Sequence, residues 1–162
     1  MFGKLKNIFG GSNDLSIPAP VAGTAIPLSE VSDPTFSQGI LGKGCAIRPS
    51  SGRVVAPVDA TVSMIFETGH AVSLELSAGV ELLIHVGLDT VMLKGEHYTA
   101  HCANGDKVKA GDLLIEFDAD AIRAAGYDTV TPVVVCNADD FSEITAKTGA
   151  VAELGELLTL KK

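Results

Sequence analysis

The sequence predicts an all-β chain: an antiparallel β-sandwich, barrel-like in part, with one or two short helices. Three observations carry that expectation. From residue 16 to residue 136, short apolar stretches alternate with turn residues in "PAPVAG", "PSSG", "APVDA", "ETGH", "LSAG", "ANGD" and "KAGD". That is the rhythm of many short strands. "ATVSMIF" and "HAVSLEL" carry partial period-2 alternation, as half-buried strands do. The 162 residues are 46% hydrophobic and 20% charged, with no tryptophan and 5% aromatics. This suits one domain with a core built from Val, Leu, Ile and Ala.

Taken in order, the first eleven residues differ from the rest. Phe2, Leu5, Ile8 and Phe9 recur at helical spacing, with Lys4, Lys6 and Asn7 between them, and "GGSND" breaks the pattern. The expectation is a flexible amphipathic tail over residues 1–15 and a single domain over 16–162. A tail with a basic polar face offers weak contact with an anionic membrane through residues 2–9. Strands follow to Cys136. "DADAIRAAG" reads as a helix, with Asp118 or Asp120 near its start and Gly126 at its end. "NADDFSEI" supplies one more helical turn, and "ELGELLTL" a closing strand.

The charge and cysteine content narrow the function classes. A net charge of -8 argues against nucleic acid, whose backbone needs clustered Lys and Arg. Cys45, Cys102 and Cys136 are odd in number and far apart, which fits neither a disulfide framework nor a zinc knuckle. No apolar run approaches the ~20 residues of a membrane span, and "MFGKLKNIFGG" is too broken for a signal peptide. A cytoplasmic protein without a metal or other cofactor is expected.

The chemistry points to two histidines. His85 interrupts the apolar run "GVELLIHVGL". If "HAVSLELSAGVELLIH" forms a hairpin with Ser77-Ala78 as its loop, residues pair when their numbers sum to 155, and His70 falls opposite His85. Two close imidazoles suit half of a zinc site, an acid–base pair, or a nucleophile and its helper in phosphoryl transfer. No third ligand has an obvious spacing for zinc, and no serine or cysteine nucleophile carries a hydrolase signature. A neutral imidazole near its pKa of ~6.5 is a competent nucleophile for phosphorus. An apolar surround would keep water away from the product. His97 and His101, in "GEHYTAHC", read as surface histidines.

"GVELLIHVGLDTV" resembles the signature around the phosphorylated histidine of glucose-type enzyme IIA, a component of the bacterial sugar phosphotransferase system. "APVDATVSMIFETGHAVSLE" resembles the segment with that family's second active-site histidine. "SIPAPVAGTAIPLSEVSDPTFSQGILGKGCAIRP" and "TVTPVVVCN" resemble the family on either side. The resemblance implies a compact antiparallel sandwich and a phosphotransferase. It would take a phosphoryl group from the histidine phosphocarrier protein and pass it to a cysteine on the IIB domain of a sugar permease. It implies His85 as the phosphorylated residue and His70 as its partner, with Thr68 ordering the site and the Gly87 carbonyl holding the His85 ring. The family's Thr-Asn-His stretch reads Thr68-Gly69-His70 here. Asp33 and Asp89 match acidic rim positions, and Phe36, Leu41, Phe66, Val86 and Val91 an apolar docking face, although core packing is an equal reading of each of the five. Some stand-alone members also bind other transporters and enzymes according to phosphorylation state.

Two other classes stand beside this reading. "APVDATV" with "NGDKVKAGDLL" is similar to a biotinyl or lipoyl carrier, yet Lys107 and Lys109 lack the modified-lysine setting. A zinc peptidase of related β architecture would need a His/Asp ligand set that the sequence does not present.

Overall fold

The computed structural model describes residues 14–162. Among the described residues, fourteen strands build three antiparallel sheets. The largest runs β13 (Gly149–Val151), β2 (Gly23–Pro27), β3 (Lys43–Pro49), β11 (Thr131–Val135), β7 (Glu81–His85), β6 (Ala71–Leu76), β5 (Ala60–Ile65) and β9 (Lys107–Val108). A second sheet orders β4 (Arg53–Val55), β10 (Leu113–Phe117) and β8 (Tyr98–Ala100). A third orders β1 (Asp14–Pro18), β14 (Glu156–Lys161) and β12 (Glu143–Ala146). The core between them contains Ile17, Ile47, Leu74, Leu82, Ile84, Leu114, Ile115 and Leu158, each at most 1% exposed. Aliphatic side chains fill it, as the aromatic-poor composition requires. The expected β-sandwich is the observed fold.

Among the described residues, two short α-helices accompany the sheets. α1 (Pro34–Ser37) starts at Asp33, whose carboxylate accepts from the Thr35 N–H at 2.9 Å, with Pro34 at its first position. These are ordinary helix-start residues, and the sequence reading passed over them. α2 (Ala119–Ala124) lies in "DADAIRAAG", capped by Asp118 through the Ala121 N–H. "NADDFSEI" gives a 3-10 turn at Ala138–Asp140, and "ELGELLTL" gives β14. β12 and β13 were not anticipated. β1 begins at Asp14, and Leu15 is buried in the core, so residues 14 and 15 belong to the sheet and not to a tail. The proposed membrane-contact segment, residues 2–9, lies outside the described residues.

One expectation needs correcting. The β6–β7 hairpin closes on Ser77, Ala78 and Gly79, with the Leu76 N–H donating to the Val80 carbonyl at 2.8 Å. Ala78 and Gly79 both have positive φ, at 64° and 73°. A Ser-Ala pair is a poor two-residue turn, so the chain spends a third residue, and that residue is a glycine. The pairing sum becomes 156: Leu74 faces Leu82, and His85 faces Ala71. His70 is not directly across from His85.

The register still sets the faces. Val72, Leu74, Leu76, Leu82 and Ile84 point into the main core, while Ala71, Leu83 and Val134 form a small outer cluster. His85 alternates with Ile84 and joins the outer face. Ile84→Ala should cost about 2–5 kcal/mol because the inner face is fully packed. Urea unfolding measures it, and a loss below about 1 kcal/mol would mean that this face repacks freely.

Candidate functional site

His85 closes β7, and its backbone fixes its ring. The chain continues through Val86 to Gly87, whose φ is +93°. There the Gly87 carbonyl turns back to His85 Nδ1, 2.7 Å away. A carbonyl oxygen only accepts, so Nδ1 carries the proton and Nε2 keeps its lone pair. A side chain at position 87 has no room: a Cβ would lie 2.5 Å from Thr90 Cγ2 and 2.9 Å from the Asp128 carbonyl.

His70 reaches the same place by another route. It is the last residue of the β5–β6 turn, which closes with the Phe66 N–H on the Ala71 carbonyl at 3.0 Å and the Gly69 N–H on the Phe66 carbonyl at 2.7 Å. Gly69 has φ +73°, a left-handed conformation that glycine and asparagine both tolerate. Glycine in place of the family's asparagine therefore keeps the turn. Standing outside the strand, His70 is freed from strand alternation. Its carbonyl accepts from the Val86 N–H at 2.7 Å, and its ring centroid lies 4.8 Å from that of His85 at 79°. The two imidazoles meet although the predicted register was wrong.

Each ring has an aromatic wall. Phe36 lies 5.2 Å from His85, and Phe66 lies 5.4 Å from His70, edge-on. Thr68 Oγ1 bonds to His70 Nδ1. When that hydroxyl donates, the proton of His70 sits on Nε2, where it can serve as a donor. His70 is 2% exposed and His85 is half-buried. Burial, and next the proximity of His85, push the His70 pKa down to about 4. Burial also lowers the His85 pKa, while the Gly87 carbonyl, Asp33 and Asp89 push it back up. Both rings are neutral at pH 7.

The remaining expected residues divide. Asp33 is partly exposed as the cap of α1, and Asp89 is exposed. Leu41 and Val91 are exposed at 38% and 50%. Phe36 is buried and serves as a wall. Val86 is fully buried in the main core and is corrected from a docking residue to a backbone element of the site. Ile40 and Met92, exposed at 67% and 64%, extend the segments of Leu41 and Val91; the sequence reading missed both. Their signal was an apolar residue in a turn-rich stretch. It also missed Tyr98, which follows His97 at the start of β8 and presents its ring edge-on to His70 at 6.4 Å. His97 and His101 are exposed, and His101 Nε2 bonds to Glu116 at 2.6 Å. Among the described residues, no three His, Cys, Asp or Glu side chains are grouped to hold a metal ion. Lys107 lies within β9, paired with Thr61, and not at a hairpin tip. No described helix is long and apolar enough to cross a membrane.

The depressed His70 pKa has a consequence for stability. Below ~6.5 the unfolded chain protonates this imidazole, whereas the folded protein resists until about 4. Stability should therefore fall with pH across that window, by up to about 3 kcal/mol. Denaturant unfolding at pH 7.5 and pH 4.5, with His70→Gln as reference, measures this. An equal pH slope in the variant would contradict it.

Comparison with known proteins agrees with the geometry. The family model described as "phosphoenolpyruvate-dependent sugar phosphotransferase system, EIIA 1" matches residues 15–141. The glucose-specific EIIA component of Halalkalibacterium halodurans is 43% identical over 160 residues, 98% of this chain and 92% of that protein. The beta-glucoside-specific EIIBCA component of Dickeya chrysanthemi is 47% identical over 153 residues, 92% of this chain. The chain spans only 24% of that protein, and 19% of the mannose-specific EIIBCA component of Corynebacterium glutamicum. The solved glucose permease IIA from Mycoplasma capricolum superposes with a TM-score of 0.84 at 32% identity, over 92% of this chain and 97% of that one. The chain thus belongs to the EIIA 1 family of the phosphoenolpyruvate-dependent sugar phosphotransferase system.

Proposed function

We propose that this protein is a phosphohistidine carrier in which His85 takes a phosphoryl group from the histidine phosphocarrier protein and gives it to a IIB domain during sugar uptake. One observation carries the assignment to His85: its Nδ1–H is bonded to the Gly87 carbonyl, which leaves Nε2 unprotonated at a half-buried apolar face. The Nε2 lone pair attacks phosphorus, and the P–N bond to the donor imidazole breaks. The bonding pair returns to the donor ring. In the second step the IIB cysteine thiolate attacks phosphorus, and the pair returns to His85 Nε2. His70 donates to the phosphoryl oxygens as charge develops and does not itself carry the group.

The surroundings support a carrier. Phe36 and Phe66 pack against the two rings, and such apolar walls limit the water that reaches a labile phosphoramidate. Ile40, Leu41, Val91 and Met92 offer exposed apolar surface for docking, with Asp33 and Asp89 as its acidic component. A IIB partner accords with the relatives named as EIIBCA components. The phosphoryl group adds about -2 charge beside that apolar surface, a means of switching any regulatory partner. Cytoplasmic placement and weak membrane contact through residues 2–9, by Lys4 and Lys6 on the polar face of the pattern, belong to the same proposal.

The test is phosphotransfer from phosphoenolpyruvate through purified general components, with mapping of the labelled residue. His85→Ala should take up no acid-labile phosphate. His70→Gln should still be phosphorylated, while onward transfer falls ~100-fold or more. Label on His70, His97 or His101 would overturn the assignment. A second outcome concerns the rim. Transfer should slow as salt rises, and Asp89→Asn should lower the association rate more than it raises dissociation. Asp33→Asn should do likewise without losing α1, because asparagine also caps helices. A salt-independent rate would remove electrostatic steering.

A further inference from the structure

Tyr98 opens β8, in the β4–β10–β8 sheet, not in the sheet that carries His85. Its hydroxyl donates to the Val86 carbonyl at 2.8 Å, and Thr90 Oγ1 donates to the same oxygen at 2.8 Å. Both lone pairs of that oxygen are therefore engaged. On the other side of the same peptide, the Gly87 N–H donates to the Val130 carbonyl at 3.0 Å. The peptide between Val86 and Gly87 is held at each of its polar atoms. The next carbonyl along the chain is that of Gly87, the acceptor for His85 Nδ1 at 2.7 Å. Tyr98 also bounds the second histidine: its Cβ lies 3.3 Å from where a side chain on Gly69 would begin, and its ring stands 6.4 Å from that of His70.

We infer that Tyr98 is a positioning residue for His85: by fixing the Val86 carbonyl it orients the peptide that carries the Gly87 acceptor, and so holds the imidazole as the Nδ1–H tautomer with Nε2 free. Its effect on transfer rate rests on the phosphocarrier reading; its effect on the ring does not. The hydroxyl is the part that matters. A phenylalanine would fill the same space beside His70 and Gly69 but leave the Val86 oxygen with Thr90 alone. A second sheet thereby reaches across to the reactive hairpin and limits how far the 86–87 peptide can rotate.

The experiment compares the unsubstituted protein with Tyr98→Phe, Thr90→Val and the double variant. Imidazole nitrogen NMR at pH 8, where the ring is neutral, reads the His85 tautomer, and thermal unfolding checks the fold. Transfer from phosphorylated phosphocarrier protein is measured against carrier concentration. In Tyr98→Phe the His85 nitrogen shifts should move toward the average of the two tautomers. The maximal transfer rate should fall roughly tenfold, as for a misplaced reacting group, with the half-saturating carrier concentration unchanged. Thr90→Val should loosen the tautomer in the same sense, and the double variant should lose more than the product of the single effects. Unchanged His85 nitrogen shifts in folded Tyr98→Phe would overturn the inference, whatever happens to the melting temperature. So would a rate loss residing wholly in carrier affinity. Should Tyr98→Phe not fold, unchanged shifts in Thr90→Val would overturn the carbonyl route. If the unsubstituted protein accepts no phosphoryl group, the carrier reading fails, while the tautomer comparison still decides the role of Tyr98.

Discussion

The hydrogen bond from His85 Nδ1–H to the Gly87 carbonyl sets the chemistry of the candidate site. It chooses which ring nitrogen keeps its lone pair, and it does so with backbone atoms two residues away. The turn that aims this carbonyl demands positive φ at Gly87 and space that no side chain allows. That turn is in turn held from both sides by the residues that lead into two strands: Val86 by His70, just before β6, and Gly87 by Val130, just before β11. The wider sandwich is thus the support for one two-residue contact.

Electrostatics at the site is a balance between burial and acid. Burial keeps both imidazoles neutral, which a nucleophile and a neutral donor each require. Asp33 and Asp89 oppose this at His85, and the Gly87 carbonyl does too. In the proposed transfer, attack by Nε2 would make the ring cationic. The same carboxylates and carbonyl would then stabilise it, so groups that raise the resting pKa are also those that suit the charged state. His70 has no such carboxylate influence, and burial with the proximity of His85 pushes its pKa down to about 4, which suits the neutral-donor role proposed for it.

Much of this was legible in the sequence, and the gaps have physical reasons. The strand-rich class, α2 and the closing strand were readable because turn residues and caps are local signals. The pair of histidines was found through a hairpin whose register proved off by one, since a three-residue loop with a left-handed alanine is not announced by composition. The pairing survived only because His70 lies in the β5–β6 turn, just before β6 begins at Ala71, a fact of the neighbouring turn and not of the hairpin. The family resemblance set Val86 on a docking face with core packing as an equal reading, and alternation sends its side chain into the core. Tyr98 was invisible because its contact crosses between sheets, 12 residues away in sequence. The Pro34 helix, by contrast, carried readable signals in Asp33 and Pro34.

The central claim is that His85 presents Nε2 while Nδ1 stays bonded to Gly87. Nitrogen and phosphorus NMR of the phosphorylated protein tests this most directly, because coupling to phosphorus identifies the modified ring nitrogen. The account predicts phosphorus on Nε2 of His85, with a proton still on Nδ1. Phosphorus on Nδ1 would contradict it, because that nitrogen cannot both carry the group and keep its hydrogen bond to the Gly87 carbonyl.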